Sequence, residues 1–187
     1  MKKAVVLVLC LFVSIGSFAQ KWVADKAHAK VNFTVTHLML SEVDGTFRNF
    51  DASITSSKED FSDAVFELTI DAKSVNTNQD NRDAHLQKAD MFDTEKYPTI
   101  TFKSTSIKSV GAKKYQLGGN LTMKGVTKPV TIDLTLIGTT TNRQGKKVVG
   151  FKAAGTINRT DFGVGAMPSA VVSEEVELRA SGEFVAN

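Results

Sequence analysis

His28, His37 and His85 are the three histidines of this sequence, and with Arg82, Asp83, Arg159 and Asp161 they are the residues whose chemistry could define a site. A zinc centre is disfavoured by their spacing. His28 and His37 lie nine apart, which would put them on opposite faces of one regular strand, and no HxH or HxxxH pair occurs. His37 is in phase with Val31, Phe33 and Val35 and should point inward, as a satisfied core histidine or as a polar contact. Asp83 could orient His85 as a general base in a hydrolase or isomerase. A nucleophile in a recognisable setting is what such an enzyme lacks, since no GxSxG or SxxK motif accompanies the pair. Helix capping and surface pairing account for Arg82, Asp83 and His85 as well. Arg159 continues an inward stripe to a strand end. There it could bind an anionic or carbonyl head group at a cavity mouth, or pair with Asp161.

The elements that must position these groups are strands. Apolar residues recur at every second position in Val31–Val35, Phe50–Ile54, Ala64–Ile70, Ile100–Phe102, Tyr115–Leu121, Val130–Leu136, Phe151–Ile157 and Val176–Phe184. About eight strands, with turns at Lys124-Gly125 and Asn142 to Gly145, predict an antiparallel barrel or sandwich. One stretch departs from this period. Ala84, Leu86, Ala89 and Phe92 recur at helical spacing, so a short helix is expected around residues 80–92, capped by Asp80. Tyr97-Pro98 then returns the chain to a strand starting at Thr99. Asp161 to Ser173, with Gly163, Gly165 and Pro168, is a long late loop that could act as a lid.

The inward stripes mix large and very small residues: Leu117-Gly119-Leu121, Phe151-Ala153-Gly155-Ile157 and Leu178-Ala180-Gly182-Phe184, each read at alternate positions. Small side chains inside a barrel can leave a cavity, or can accommodate taper and bending; on the stripes alone the two are even. An outer-membrane barrel would carry aromatic girdles, whereas Trp and Tyr number three, Trp22, Tyr97 and Tyr115.

Residues 1–19 read as a secretory signal: Lys2 and Lys3, an apolar run from Ala4 to Ile15, then Ser17-Phe18-Ala19 before Gln20. The lone cysteine, Cys10, falls within it, which removes disulfides and thiol chemistry from the mature domain, residues 20–187. A periplasmic or secreted protein is expected. Two of the 23 basic residues lie in the leader, leaving 21 against 20 acids and a mature charge of +1, so no nucleic-acid partner is expected.

Several motifs together resemble the YceI-like family. The opening Trp22-Val-Ala-Asp25-Lys-Ala-His28 is followed by Val31-Asn-Phe33-Thr-Val35-Thr-His37-Leu38 and Gly45-Thr-Phe47. The middle carries Asn81-Arg82-Asp83-Ala-His85-Leu86 and Phe92-Asp93-Thr-Glu-Lys-Tyr97-Pro98, and Asn158-Arg159-Thr-Asp161-Phe162-Gly163 comes late. The resemblance implies an all-β fold, an eight-stranded antiparallel lipocalin-like barrel holding a polyisoprenoid, such as an isoprenoid quinone or polyprenyl derivative, in an apolar tunnel. It implies no catalytic residue, required cofactor or metal. On that reading Phe33, Val35, Leu68, Leu86, Phe92, Phe102, Leu117, Leu121, Leu134, Phe151 and Phe162 contribute to the tunnel, with His37 and Arg159 as polar contacts and Met91 as flexible lining. A hydrolase or isomerase acting on a lipid-like substrate in the same cavity is the alternative, and a dry-cored interaction module a third. An exposed mouth could support a homodimer or a transient membrane contact.

Overall fold

A computed structural model describes residues 19–187. The expected leader lies outside the described residues, apart from Ala19. Strands β1 (Gln20–His37), β2 (Ser41–Phe47), β3 (Phe50–Ser56), β4 (Val65–Asp71) and β5 (Val75–Asn76) precede the helix α1 (Asp80–Leu86). After it come β6 (Thr99–Gly111), β7 (Lys114–Met123), β8 (Val126–Thr141), β9 (Lys147–Asn158) and β10 (Glu175–Ala186). Eight strands close a ring in the order β1-β3-β4-β6-β7-β8-β9-β10, with β10 pairing antiparallel back onto β1.

The first strand is longer than its apolar pattern alone announces, and it serves two neighbours on one side. Its beginning, Gln20 to Val23, pairs with β3, whereas Val31 to His37 pairs with β2, which in turn carries β5. On the other side its pairing with β10 is interrupted between Ala24 and Ala29, where Asp25 to His28 are extruded opposite Glu183. A bulge of this kind bends a strand, letting one chain segment follow the wall around the closing barrel.

The two barrel ends are built differently. At the end reached by the β3–β4, β6–β7 and β8–β9 connections, Trp22, Phe61, Phe151 and Phe184 are buried together. Phe61 meets Phe151 nearly edge-on with ring centroids 5.2 Å apart, and Phe66 meets the same ring at 5.3 Å. Such edge-to-face packing adds to the burial of each ring and seals this end. The Tyr115 hydroxyl donates to the Asp60 carbonyl, fixing the loop that carries Phe61 over the barrel.

At the other end lie the β1–β2 turn, α1 and the loop between β9 and β10. The helix is shorter than its apolar spacing predicts. It stops at Leu86, and turns carry the chain through Met91 and Phe92, with the Phe92 N–H donating to the Leu86 carbonyl at 3.0 Å. Its cap is Gln79, whose side chain accepts from the Arg82 N–H; Asp80, expected there, is the first helical residue. Ala84 and Ala89 are exposed, and the buried residue of the helix is Asp83. Of the expected period, Leu86 and Phe92 pack on the core while the two alanines face solvent, and the polar bonds of Asp83 add to that packing in tying the helix down.

Candidate functional site

The barrel encloses two apolar chambers along its interior, of about 180 and 310 Å³. The first lies deeper, between the aromatic seal and the middle of the barrel. Leu68, Phe102, Leu117, Leu121, Leu134 and Phe151 line it, all at inward positions of their strands. The second lies toward α1 and is lined by Val35, His37, Leu86, Met91, Phe92 and Arg159 among others. Phe33 borders both, as do Phe47, Met123 and Leu178, so these four side chains form a waist between the chambers.

Ala153, Gly155, Ala180 and Gly182 of the inward stripes border the first chamber, but two of the stripe glycines, Gly119 and Gly155, are not empty positions. A Cβ on Gly119 would stand 2.4 Å from the Phe102 ring, and one on Gly155 would stand 2.6 Å from Cδ1 of Ile132. Each glycine receives a neighbouring side chain that lies down over it. Phe102 and Ile132 are thereby folded against the wall, and the hollow is what remains along the axis. Phe162, expected on the tunnel wall, is fully buried in the core and borders neither chamber, because the short 3₁₀ turn Arg159–Phe162 directs its ring behind the wall.

Arg159 is 5% exposed and borders the second chamber. Its guanidinium has five N–H groups, and all five are given to backbone carbonyls. Nε donates to Ser173 at 2.9 Å, Nη1 to Val164 at 2.9 Å and Gly165 at 2.7 Å, and Nη2 to Met167 at 2.8 Å and Val172 at 3.0 Å. The donors therefore pass Asp161 by. One buried cation pulls the loop from Gly163 to Ser173 into shape, and Val164, Met167, Val171 and Val172 of that loop become chamber wall. The stretch expected as a possible lid is a fixed part of the enclosure.

Arg82 and Asp83 perform a similar task across the chamber. Asp83 accepts from the Thr77 N–H at 2.8 Å, from the Thr77 hydroxyl and from Asn76 Nδ2 at 3.0 Å. Arg82 donates through Nε to the Thr77 hydroxyl at 2.7 Å and through Nη2 to the Thr77 carbonyl at 2.8 Å. Helix α1 is thus bolted to β5. The orienting contact to His85 that a hydrolase would need is not made by Asp83, since His85 Nε2 lies 3.1 Å from Asp90 instead. That bond to His85 holds the exposed Asp90 carboxyl below its ordinary range.

Sequence reasoning missed two kinds of feature. Phe47 and Leu178 stand in recognised stripes or motifs, yet nothing in alternation reveals that they meet at a waist. Asp25, His28 and Glu183 bring their ligand atoms within 4.8 Å of one another, an exposed group created by the bulge in β1. There His28 Nδ1 and Asp25 Oδ2 are already 2.9 Å apart, and the hydrogen bond raises the histidine pKa. Among the described residues no helix is long and apolar enough to cross a membrane.

The comparisons agree with this architecture. BcnA of Burkholderia cenocepacia superimposes with a TM-score of 0.78 at 26% identity, over 88% of this chain and 99% of that one. A polyisoprenoid binding domain from Saccharophagus degradans shares the fold with a TM-score of 0.66 at 17% identity, over 89% of this chain and 98% of its own. Protein YceI of Salmonella newport is 40% identical over 177 residues, 94% of this chain and 92% of that protein. The family profile described as YceI-like domain matches residues 22–184, and with that span and that identity the chain belongs to the YceI-like family.

Proposed function

We propose that this protein is a non-catalytic carrier that holds a polyisoprenoid or similar long-chain lipid, such as an isoprenoid quinone or polyprenyl derivative. The observation that carries this reading is the pair of apolar chambers in line, sealed by aromatic rings at one end and bordered by polar groups at the other. Together the chambers fall within the size range of small-molecule sites. Their narrow, end-to-end arrangement fits a chain better than a compact ligand. At about 30 Å³ per carbon the two volumes take up roughly sixteen carbons of a chain, and at about 0.3 kcal/mol per heavy atom their burial would gain roughly 5 kcal/mol.

The thirteen assigned residues then divide by position. Phe33, Leu68, Phe102, Leu117, Leu121, Leu134 and Phe151 would hold the tail, and Val35, Leu86 and Phe92 the part nearer the mouth. His37 is the polar side chain offered as a head-group contact. Arg159, with every donor engaged, would meet a ligand only through the face of its guanidinium, and Phe162 would support the wall from behind. The family and the neighbouring folds favour a binding protein over an enzyme, and the leader expected from the sequence supports a periplasmic or secreted location. Lipid extraction of the purified protein with mass spectrometry tests the reading. Recovery of an intact isoprenoid is expected; finding none, with none taken up on incubation with a prenyl quinone, would overturn it.

A further inference from the structure

The rim of the second chamber carries an apolar surface that the interior does not account for. The tip of the β1–β2 turn is Leu38-Met39-Leu40, and these side chains are 48%, 75% and 86% exposed. Turn tips are ordinarily polar, and non-glycine residues rarely adopt positive φ. Here Leu38 and Met39 hold φ values of 51° and 55°. The backbone is nevertheless pinned. Leu38 N–H donates to the Val171 carbonyl at 2.9 Å, Leu40 N–H to the His37 carbonyl at 3.0 Å, and His37 bridges to Val172.

A second feature adjoins the first. Val171 and Val172 belong to the loop that Arg159 organises, and from Phe162 to Ser173 that loop contains no charged residue. Its exposed part includes Ala166, Pro168 and Ala170. Two hydrogen-bonded, uncharged loops thus form one sector of the rim, beside a chamber lined by Val164, Met167, Val171 and Val172 of the second loop and by His37 at the base of the first. The opposite barrel end has turns of ordinary composition, with Lys58, Glu59, Lys113, Lys114, Arg143 and Lys146.

We propose that this sector docks on the surface of a lipid bilayer, inserting Leu38, Met39 and Leu40 among the outer acyl segments so that the chamber mouth faces the membrane. A projecting tip with its most exposed leucine outermost suits a soft, deformable medium. Charge selects the kind of membrane. The two loops are bordered by Glu42, Asp161 and Glu174, all exposed, and by Lys124, which donates to the Gly163 carbonyl at 2.7 Å; the segment whose Asp90 carbonyl accepts from Gly165 adds exposed Lys88 and Asp90, so acids still outnumber cations. Attraction to anionic lipid is therefore not the driving force, and a zwitterionic surface is the expected one. The purpose of docking, to load or unload a chain-like lipid, rests on the carrier reading; the docking itself does not.

Co-sedimentation with phosphatidylcholine vesicles free of isoprenoid tests it. The wild-type protein is expected to bind, unchanged between 0.1 and 0.5 M NaCl at roughly one Debye length or less, and no better when phosphatidylglycerol is added. Leu40→Asp and Met39→Asp are each expected to lower the partition coefficient by about tenfold or more, the order set by one large apolar side chain. Lys113→Asp, at the other end, should leave it unchanged. Both residues of the tip are largely solvent-exposed, and melting curves confirm that the variants fold. No wild-type binding, undiminished binding by the aspartate variants, or binding abolished by salt would overturn the proposal. So would light scattering showing a dimer that Leu40→Asp splits, since the tip would then serve a second copy of this chain. Uptake of a prenyl quinone from detergent, measured in parallel, separates the two readings: a wild-type protein that takes up the quinone but does not bind vesicles refutes docking alone.

Discussion

Replacing Arg159 tests whether a family motif residue serves the ligand or the enclosure. Arg159→Met keeps much of the buried length and removes the fork, leaving five carbonyls without their donor. A hydrogen bond to a charged group contributes about 1.5–3 kcal/mol net, and five on one group are far from additive. Burial of the guanidinium offsets part of that gain. Several of the abandoned carbonyls sit in a loop with exposed neighbours, so water can reach them once the loop loosens. A loss of about 3–5 kcal/mol in global stability is expected if the loop stays closed. If it opens instead, the global loss is smaller and the opening appears locally.

Urea unfolding of lipid-free protein measures the first outcome, and hydrogen exchange over residues 163–173 measures the second. Arg159→Lys, which keeps the charge but offers fewer donors and no planar fork, should fall between parent and Met variant. Stability within about 0.5 kcal/mol of the parent, with residues 163–173 still protected, would refute the reasoning, because surface substitutions of no structural consequence lie in that range. If that result came with weakened lipid binding, the guanidinium would be a ligand contact after all.

Other perturbations have equally definite outcomes. Leu178→Trp should fill the waist between the chambers; a chain confined to one side loses roughly six to ten carbons of contact, or about 2–3 kcal/mol, so co-purifying isoprenoids should shift to shorter lengths by mass spectrometry. Gly119→Val forces a side chain into the Phe102 ring and should lower stability by about 1–3 kcal/mol in urea titrations, with Phe102→Ala relieving part of the loss in the double variant. Burial raises the Asp63 carboxyl pKa, but the Ser56 and Ser57 hydroxyls and the Ser57 and Lys58 N–H groups outweigh it and hold the carboxyl well below its ordinary range. Since the folded pKa is depressed, the contribution of Asp63 is fully present above an unfolded value near 3.9 and is lost as pH falls toward the folded one. The stability gap between wild type and Asp63→Asn should be flat above about pH 5 and shrink below about pH 4.

Period-two alternation made the barrel legible, because a strand with one face inward must repeat its apolar residues every second position wherever it lies in the ring. Pattern of this kind, period-two or helical, left three things hidden. It could not show that β1 changes partner from β3 to β2 along its length, since pairing depends on bends and bulges rather than on side-chain period. It found Leu86 and Phe92, which face the chamber, but grouped Ala84 with them although it faces solvent, and passed over Asp83, which goes inward to satisfy Thr77 and Asn76. And it left open whether the glycines meant empty space or strand bending, when Gly119 and Gly155 are small so that Phe102 and Ile132 can lie flat.

These three failures have a common physical source, and it bears on how the cavity survives. A hollow lined by apolar side chains invites collapse, since every wall residue gains dispersion contacts by moving inward. What opposes collapse must act from behind or across the wall. Glycines that seat Phe102 and Ile132 remove those side chains from the axis. Arg159 fixes the loop wall through five carbonyls, and the Thr77 cluster fixes the helix wall through Arg82 and Asp83. All three devices are directional or steric, and none follows from hydrophobic pattern. A barrel with the same alternation but without them would be expected to fill its own interior, so the polar motif residues preserve the chambers by holding their walls apart.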